Sequence, residues 1–291
     1  MSQQPDNFLG LPERYARYDK ARYAVLSVPY DSTVSFQVGT RSGPRAIITA
    51  SQQVELFDEE YEREFYEFGV ATLDPLFPNM AGPEAMHAEI LTAAKRVVRD
   101  GKTLITFGGE HSITAPLVRA VNLKHKKLSV LQIDAHADLR DEYEGTKASH
   151  AAVMRRVLEQ KVPVVPVGIR NYSLDEHRFM KKHHFKPITA RETRNNVDWI
   201  MQAVDSLSEN VYVTIDIDGF DPAYAPGTGT PEPGGMDWFQ VTDLLKATTM
   251  ARNIVAFDIV EVSPIPGSAQ TEFLAAKLAY KLIAHIEGNR K

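Results

Sequence analysis

The sequence predicts an α/β protein of three layers, helix, sheet and helix, around a mostly parallel central sheet. Two observations carry this expectation. Short apolar runs of strand length alternate along almost the whole chain with longer stretches of helical periodicity, and such alternation builds parallel sheets covered on both faces. Three of the runs end in clusters of His, Asp and Glu, and open parallel sheets bind ligands beyond the carboxyl ends of their strands. No Pro/Ser-rich linker, low-complexity run or internal repeat divides the 291 residues, so 1–291 reads as a single domain, and 43% hydrophobic residues suffice for a sizeable core.

In chain order, a polar leader makes its apolar contacts through Phe8, Leu9 and Leu11, and residues 23–28 form a buried strand ended by Pro29. Residues 32–44 hold glycines beside Arg41 but no phosphate-loop pattern, so they read as a structural loop leading into a short helix at 45–50. Residues 55–67, dense in acidic and aromatic side chains without clear periodicity, read as an exposed segment. A short strand at 69–73 precedes a helix at 83–100, whose Met86, Ile90, Leu91, Ala94, Val97 and Val98 recur at helical spacing before Gly101. Strands then follow at 103–107, 128–133, 164–167, 186–189, 211–215 and 254–259. Helices lie between and after them at 113–125, 150–160, 175–184, 197–207, 238–250 and 271–286.

Composition narrows the function. A formal charge of -5 and a pI near 6.0 leave no basic stripe for nucleic acid, and no apolar run is long enough to cross a bilayer. Residues 1–17 lack a signal-peptide pattern and cysteine is absent, which fits a cytoplasmic protein. Zero cysteines also exclude thiolate nucleophiles and cysteine-held zinc or iron-sulfur sites.

The polar clusters point to metal. Asp134, His136 and Asp138 occupy alternate positions after the apolar run 130–133, and extended backbone directs alternate side chains to one side. Asp216 and Asp218 repeat the spacing after residues 211–215, and His111 follows the strand at 103–107. If these ends converge, four carboxylates crowd together, and two divalent cations would neutralise them. Oxygen-rich ligation with two imidazoles and no sulfur points toward manganese, which zinc, cobalt or nickel could displace in vitro.

Gly108-Gly109-Glu110-His111-Ser112, Asp134-Ala135-His136-Ala137-Asp138 and Asp216-Ile217-Asp218-Gly219-Phe220-Asp221-Pro222 resemble, in order and spacing, the three signature motifs of the ureohydrolases, the arginase and agmatinase family. The similarity continues through Ala225-Pro226-Gly227-Thr228-Gly229-Thr230-Pro231 and Asp258-Ile259-Val260-Glu261-Val262. It implies an arginase-like fold and two Mn2+ per chain. One would be held by His111, Asp134, Asp138 and Asp216, the other by Asp134, His136, Asp216 and Asp218. The resemblance also assigns Glu261 to the substrate guanidinium, Thr230 to its neighbourhood and His150 to proton transfer, and it implies a homo-oligomer, trimer or hexamer. A carboxylate can accept two parallel hydrogen bonds from a guanidinium, and a histidine can pass a proton near neutral pH.

Residues 139–147 lack the Asn- and Ser-containing loop by which arginases grip the carboxylate of their amino acid, which favours a substrate without one. The expected reaction is hydrolysis of agmatine to urea and putrescine; N1-aminopropylagmatine and guanidinobutyrate are the alternatives. Asp141, Glu142 and Glu144 read as a solvated acidic loop, and a guanidino acid would need a cation such as Arg140 near its tail. A metal-dependent deacylase and a non-catalytic binding or assembly protein are rivals, against which the second ligand set and Glu261 argue. The remaining histidines, His87, His125, His177, His183, His184 and His285, read as surface or core residues, and prolines around Gly227-Thr228-Gly229 rule out a dinucleotide fingerprint.

Overall fold

The chain is described by a computed structural model over residues 5–290. Its strands are β1 (Tyr23–Val28), β2 (Phe57–Asp58), β3 (Arg63–Glu64), β4 (Val70–Thr72), β5 (Thr103–Gly108), β6 (Leu128–Ile133), β7 (Val164–Ile169), β8 (Ile188–Thr189), β9 (Asn210–Asp216) and β10 (Asn253–Val260). Among the described residues, eight of these form one sheet in the order β4-β1-β5-β10-β9-β6-β7-β8, parallel at every pairing, and β2 and β3 make a separate antiparallel pair.

Alternation along each strand divides the core between the two faces. Tyr23 and Val25, Ile105 and Phe107, and Leu131 and Ile133 join one buried cluster, with Ile47, Trp199, Leu244 and Leu282 of the covering helices. Ala24, Leu26 and Val28, Leu104, and Leu128 and Val130 join the other, with Met86, Ile90, Leu117 and Met154. Burial on both faces explains why the strands read as continuous apolar runs. The three-layer expectation is met, and the central sheet is parallel throughout.

Three stretches differ from expectation. Residues 55–67 are not simply exposed: they carry the β2–β3 pair, bury Phe65, and bury Asp58 against the Lys281 ammonium at 3.0 Å. A helix, Ala190–Asn195, fills the interval expected to be a loop; Thr189 and Glu192 form its capping box, each side chain bonded to the other's backbone N–H. The helix expected from residue 150 starts as a 3-10 turn, His150–Ala152, and becomes α-helical at Val153–Glu159. No helix among the described residues is long and apolar enough to cross a membrane.

Candidate metal centre

Four neighbouring strands, β5, β10, β9 and β6, end side by side, and the chain leaving each one delivers a polar side chain. After β5 the backbone of Gly109 runs against Tyr30, so closely that a Cβ there would sit 1.9 Å from the Tyr30 carbonyl oxygen; only glycine fits. This contact, with Glu110 N–H donating to the Tyr30 carbonyl at 2.7 Å, aims His111 into the site. After β6 come Asp134, His136 and Asp138; β9 ends on Asp216, and Asp218 follows it. After β10 comes Glu261, whose N–H donates to the Gly109 carbonyl at 2.8 Å and whose Oε1 accepts from His111 N–H at 2.7 Å. Asp138 (φ 52°) and Glu261 (φ 62°) hold left-handed backbone that side chains rarely adopt, a strain typical of sites the surrounding structure over-determines.

His111 Nδ1 lies 3.3 Å from Asp134 Oδ2, 3.2 Å from Asp138 Oδ2 and 3.3 Å from Asp216 Oδ2. His136 Nδ1 lies 2.9 Å from Asp218 Oδ2 and 3.8 Å from Asp134 Oδ1. Among the described residues, two groups have the spacing to hold a metal ion, His111 with Asp134 and Asp216, and Asp134 with His136 and Asp218. Asp134 is common to both. Asp138 adjoins the first through its contact with His111, and Asp216 meets the second by accepting from Asp218 N–H at 3.0 Å.

The hydrogen bonds behind His111 fix its tautomer. Thr214 Oγ1 donates its one proton to Asp258 Oδ1 at 2.6 Å, so at 2.8 Å from His111 Nε2 it accepts, and Nε2 carries the hydrogen. That leaves Nδ1 a bare lone pair, buried without a hydrogen-bond partner and facing three carboxylate oxygens. A cation is the partner that satisfies all four atoms. Without one, burial pushes the His111 pKa down but Asp134, Asp138 and Asp216 push it well above its ordinary value. Burial and then Asp134 push Asp138 up to about 7; burial and then Asp218 push Asp216 well above the usual carboxylate range. His136 rises to about 11, burial opposing and Asp218 prevailing. This is the charge crowding expected of the four carboxylates, and divalent ions relieve it. The donor set, imidazole nitrogen and carboxylate oxygen, fits hard or borderline divalent metals.

All the predicted site residues except Asp134 line one cavity: His111, His136, Asp138, Asp216 and Asp218 on its floor, with His150, Thr230 and Glu261 around it. Asp134 lies fully buried beneath, accepting from Gln132 Nε2 at 2.8 Å and His136 N–H at 2.6 Å. Burial raises Glu261 to about 8 against the opposing His111 N–H, and burial lowers His150 to about 4, helped by His111. Arg140 lines the same cavity, its guanidinium 4.7 Å over the Tyr143 ring. Asp141, Glu142 and Glu144 are exposed, and Asp141 pairs with Arg156 at 3.0 Å, as a solvated loop should.

Sequence reasoning missed a supporting row. Gln132, Thr214, Asp258 and Thr106 stand at one register level across β6, β9, β10 and β5, all fully buried. Asp258 accepts from Thr214, Thr114 and Tyr212. The available signal was a polar residue inside each apolar run.

An α/β sheet carrying these motifs at these strand ends defines a class, and the chain belongs to it: residues 21–285 match the model of the arginase family. It is a ureohydrolase, a metal-dependent enzyme acting on guanidino compounds. Two similar proteins are the N(1)-aminopropylagmatine ureohydrolases of Synechocystis sp. and Thermus thermophilus. The first is 37% identical over 97% of this chain and 96% of its own, the second 39% identical over 93% and 92%. The solved structure of the agmatine ureohydrolase of Thermoplasma volcanium superposes with a TM-score of 0.86 at 34% identity, covering 94% of this chain and 92% of that one.

Proposed function

We propose that the chain hydrolyses agmatine to urea and putrescine over a pair of Mn2+ ions. The observation that carries this reading is the single cavity in which Glu261 stands beside two ligand groups joined through Asp134. His111, Asp134, Asp138 and Asp216 would hold one ion, and Asp134, His136, Asp216 and Asp218 the other. When bound, such a pair lowers the pKa of water and supplies a hydroxide nucleophile at neutral pH.

The chain's own residues do the rest. Glu261 accepts the guanidinium N–H groups and holds the planar group in register; the arriving cation offsets the burial that raises this carboxyl to about 8. Thr230 borders the same space. His150, neutral at pH 7 with its pKa lowered to about 4, takes the proton released on attack at the ring nitrogen not engaged with Thr33 and passes it to the departing amine. The loop 139–147 offers no Asn/Ser grip for an amino acid's carboxylate, which supports an amine-tailed substrate.

A second reading, N1-aminopropylagmatine as the substrate, is favoured by the activity named for the two relatives above. A single domain over 1–291 and a cytoplasmic trimer or hexamer complete the proposal. The test is urea release by the Mn2+-loaded protein from agmatine, N1-aminopropylagmatine, guanidinobutyrate and arginine, with Asp134→Ala as control. Preferred turnover of agmatine, abolished in the control, is expected; preference for the longer amine selects the second reading. Preference for guanidinobutyrate or arginine overturns both.

A further inference from the structure

Glu110 is fully buried next to His111, yet it belongs to neither metal-binding group. Its carboxylate is occupied otherwise. Oε2 accepts from the Thr33 backbone N–H at 2.6 Å, and Oε1 accepts from Thr33 Oγ1 at 2.7 Å and from Ser112 Oγ. Thr33 is itself buried, and its hydroxyl faces His150 twice, at 3.1 Å from the backbone N–H and 3.2 Å from Nδ1.

A hydroxyl has one proton and two lone pairs. The proton of Thr33 goes to Glu110, so both contacts with His150 are ones that Thr33 accepts, and Nδ1 must carry a hydrogen to make the second. Among the described residues, the other hydrogen-bonding atom near Nδ1 is Ser149 Oγ, 3.5 Å away, at the limit of a hydrogen bond. Tyr143 packs edge-on against the ring, 5.9 Å between centroids, and steadies its plane. We propose that Glu110 and Thr33 are positioning residues which, through this chain of hydrogen bonds, hold His150 as the Nδ1–H tautomer and leave its Nε2 lone pair free to receive a proton. The functional consequence rests on the role given to His150 above; the tautomer does not.

Glu110→Gln makes a sharp test because the Thr33 N–H fixes which way the amide lies. The Gln carbonyl oxygen must take the Oε2 position, placing the NH2 group against Thr33 Oγ1. The hydroxyl then accepts from the amide, turns to donate to Nδ1, and drives His150 to the Nε2–H form. Nitrogen-15 NMR of histidine-labelled, Zn2+-loaded protein, with His150 assigned by its loss in His150→Asn, is expected to show Nδ1–H in the wild type and in Thr33→Ser, and Nε2–H in Glu110→Gln. A wild-type Nε2–H form, or no change in Glu110→Gln, overturns the proposal.

The second arm is urea release from agmatine by the Mn2+-loaded enzyme, with metal content measured for each variant. Thr33→Val is expected to lower kcat roughly tenfold to a hundredfold with KM within about threefold, and Thr33→Ser to recover most of the loss. In a His150→Asn background, Thr33→Val should cost less than about twofold, because it acts through His150. An equal loss in both backgrounds marks a merely structural role and overturns the proposal. A wild type that releases no urea would refute the proposed function, while the tautomer measurement still decides this inference.

Discussion

Thr214 decides which nitrogen of His111 carries the hydrogen, so its hydroxyl matters to ion affinity although its link to the ion-binding groups runs through the imidazole. Thr214→Val keeps the shape and removes the acceptor for Nε2–H. Calorimetric titration with Mn2+ is expected to show affinity reduced roughly tenfold to a hundredfold, the usual cost of losing the hydrogen bond that orients a ligand; unchanged affinity would refute the tautomer assignment. The contrast between His111 and Thr214 also shows what a sequence reveals at this scale. Asp134, His136 and Asp138 were legible because alternate spacing past a strand end brings three ligand side chains together, a pattern needing no partner. Gln132, Thr214 and Asp258 make sense only once β6, β9 and β10 are known to lie adjacent, and each by itself is an ordinary polar residue in an apolar run. The link from Thr33 to Glu110 spans 77 positions, so nothing local could announce it.

Among the elements, the turn after β5 carries the tightest steric demand at the site. Gly109→Ala would drive a Cβ into the Tyr30 backbone, which has no flexible side chain to yield. The expected cost is on the order of 3 kcal/mol or more, read as a lower midpoint in urea unfolding of the metal-free protein; a midpoint like that of the wild type would show that the two segments separate freely. The strands and longer helices were legible from periodicity. The Ala190–Asn195 helix was not, since its six residues are too few for a periodic signal, although Thr189 and Glu192 spell its cap. Residues 55–67 misled for a different reason: Asp58 is buried as half of an ion pair with Lys281, and a buried acid reads in sequence as an exposed one.

Across the whole molecule, buried histidines tie stability to pH. Burial lowers His285 to about 4, with Glu60 opposing, and its ring keeps one contact to the Tyr61 hydroxyl at 3.0 Å. The unfolded chain takes up a proton there near pH 6.5 and the folded chain does not until about 4, so this contribution is present above 6.5 and is lost as pH falls towards 4. Chemical unfolding at pH 7 and pH 4.5 should therefore show the wild type losing more stability than His285→Gln, by up to about 3 kcal/mol; parallel losses would refute the shift. The sheet order has a temporal consequence as well. β10, the last strand in sequence, lies between β5 and β9 at the sheet's centre. As the chain emerges from the ribosome, the two halves of the sheet cannot join until residues 253–260 have been made. Insertion of that strand, with its long-range pairings, is the expected slow event of folding, and the ligand group that joins His111 to Asp134 and Asp216 cannot assemble before it.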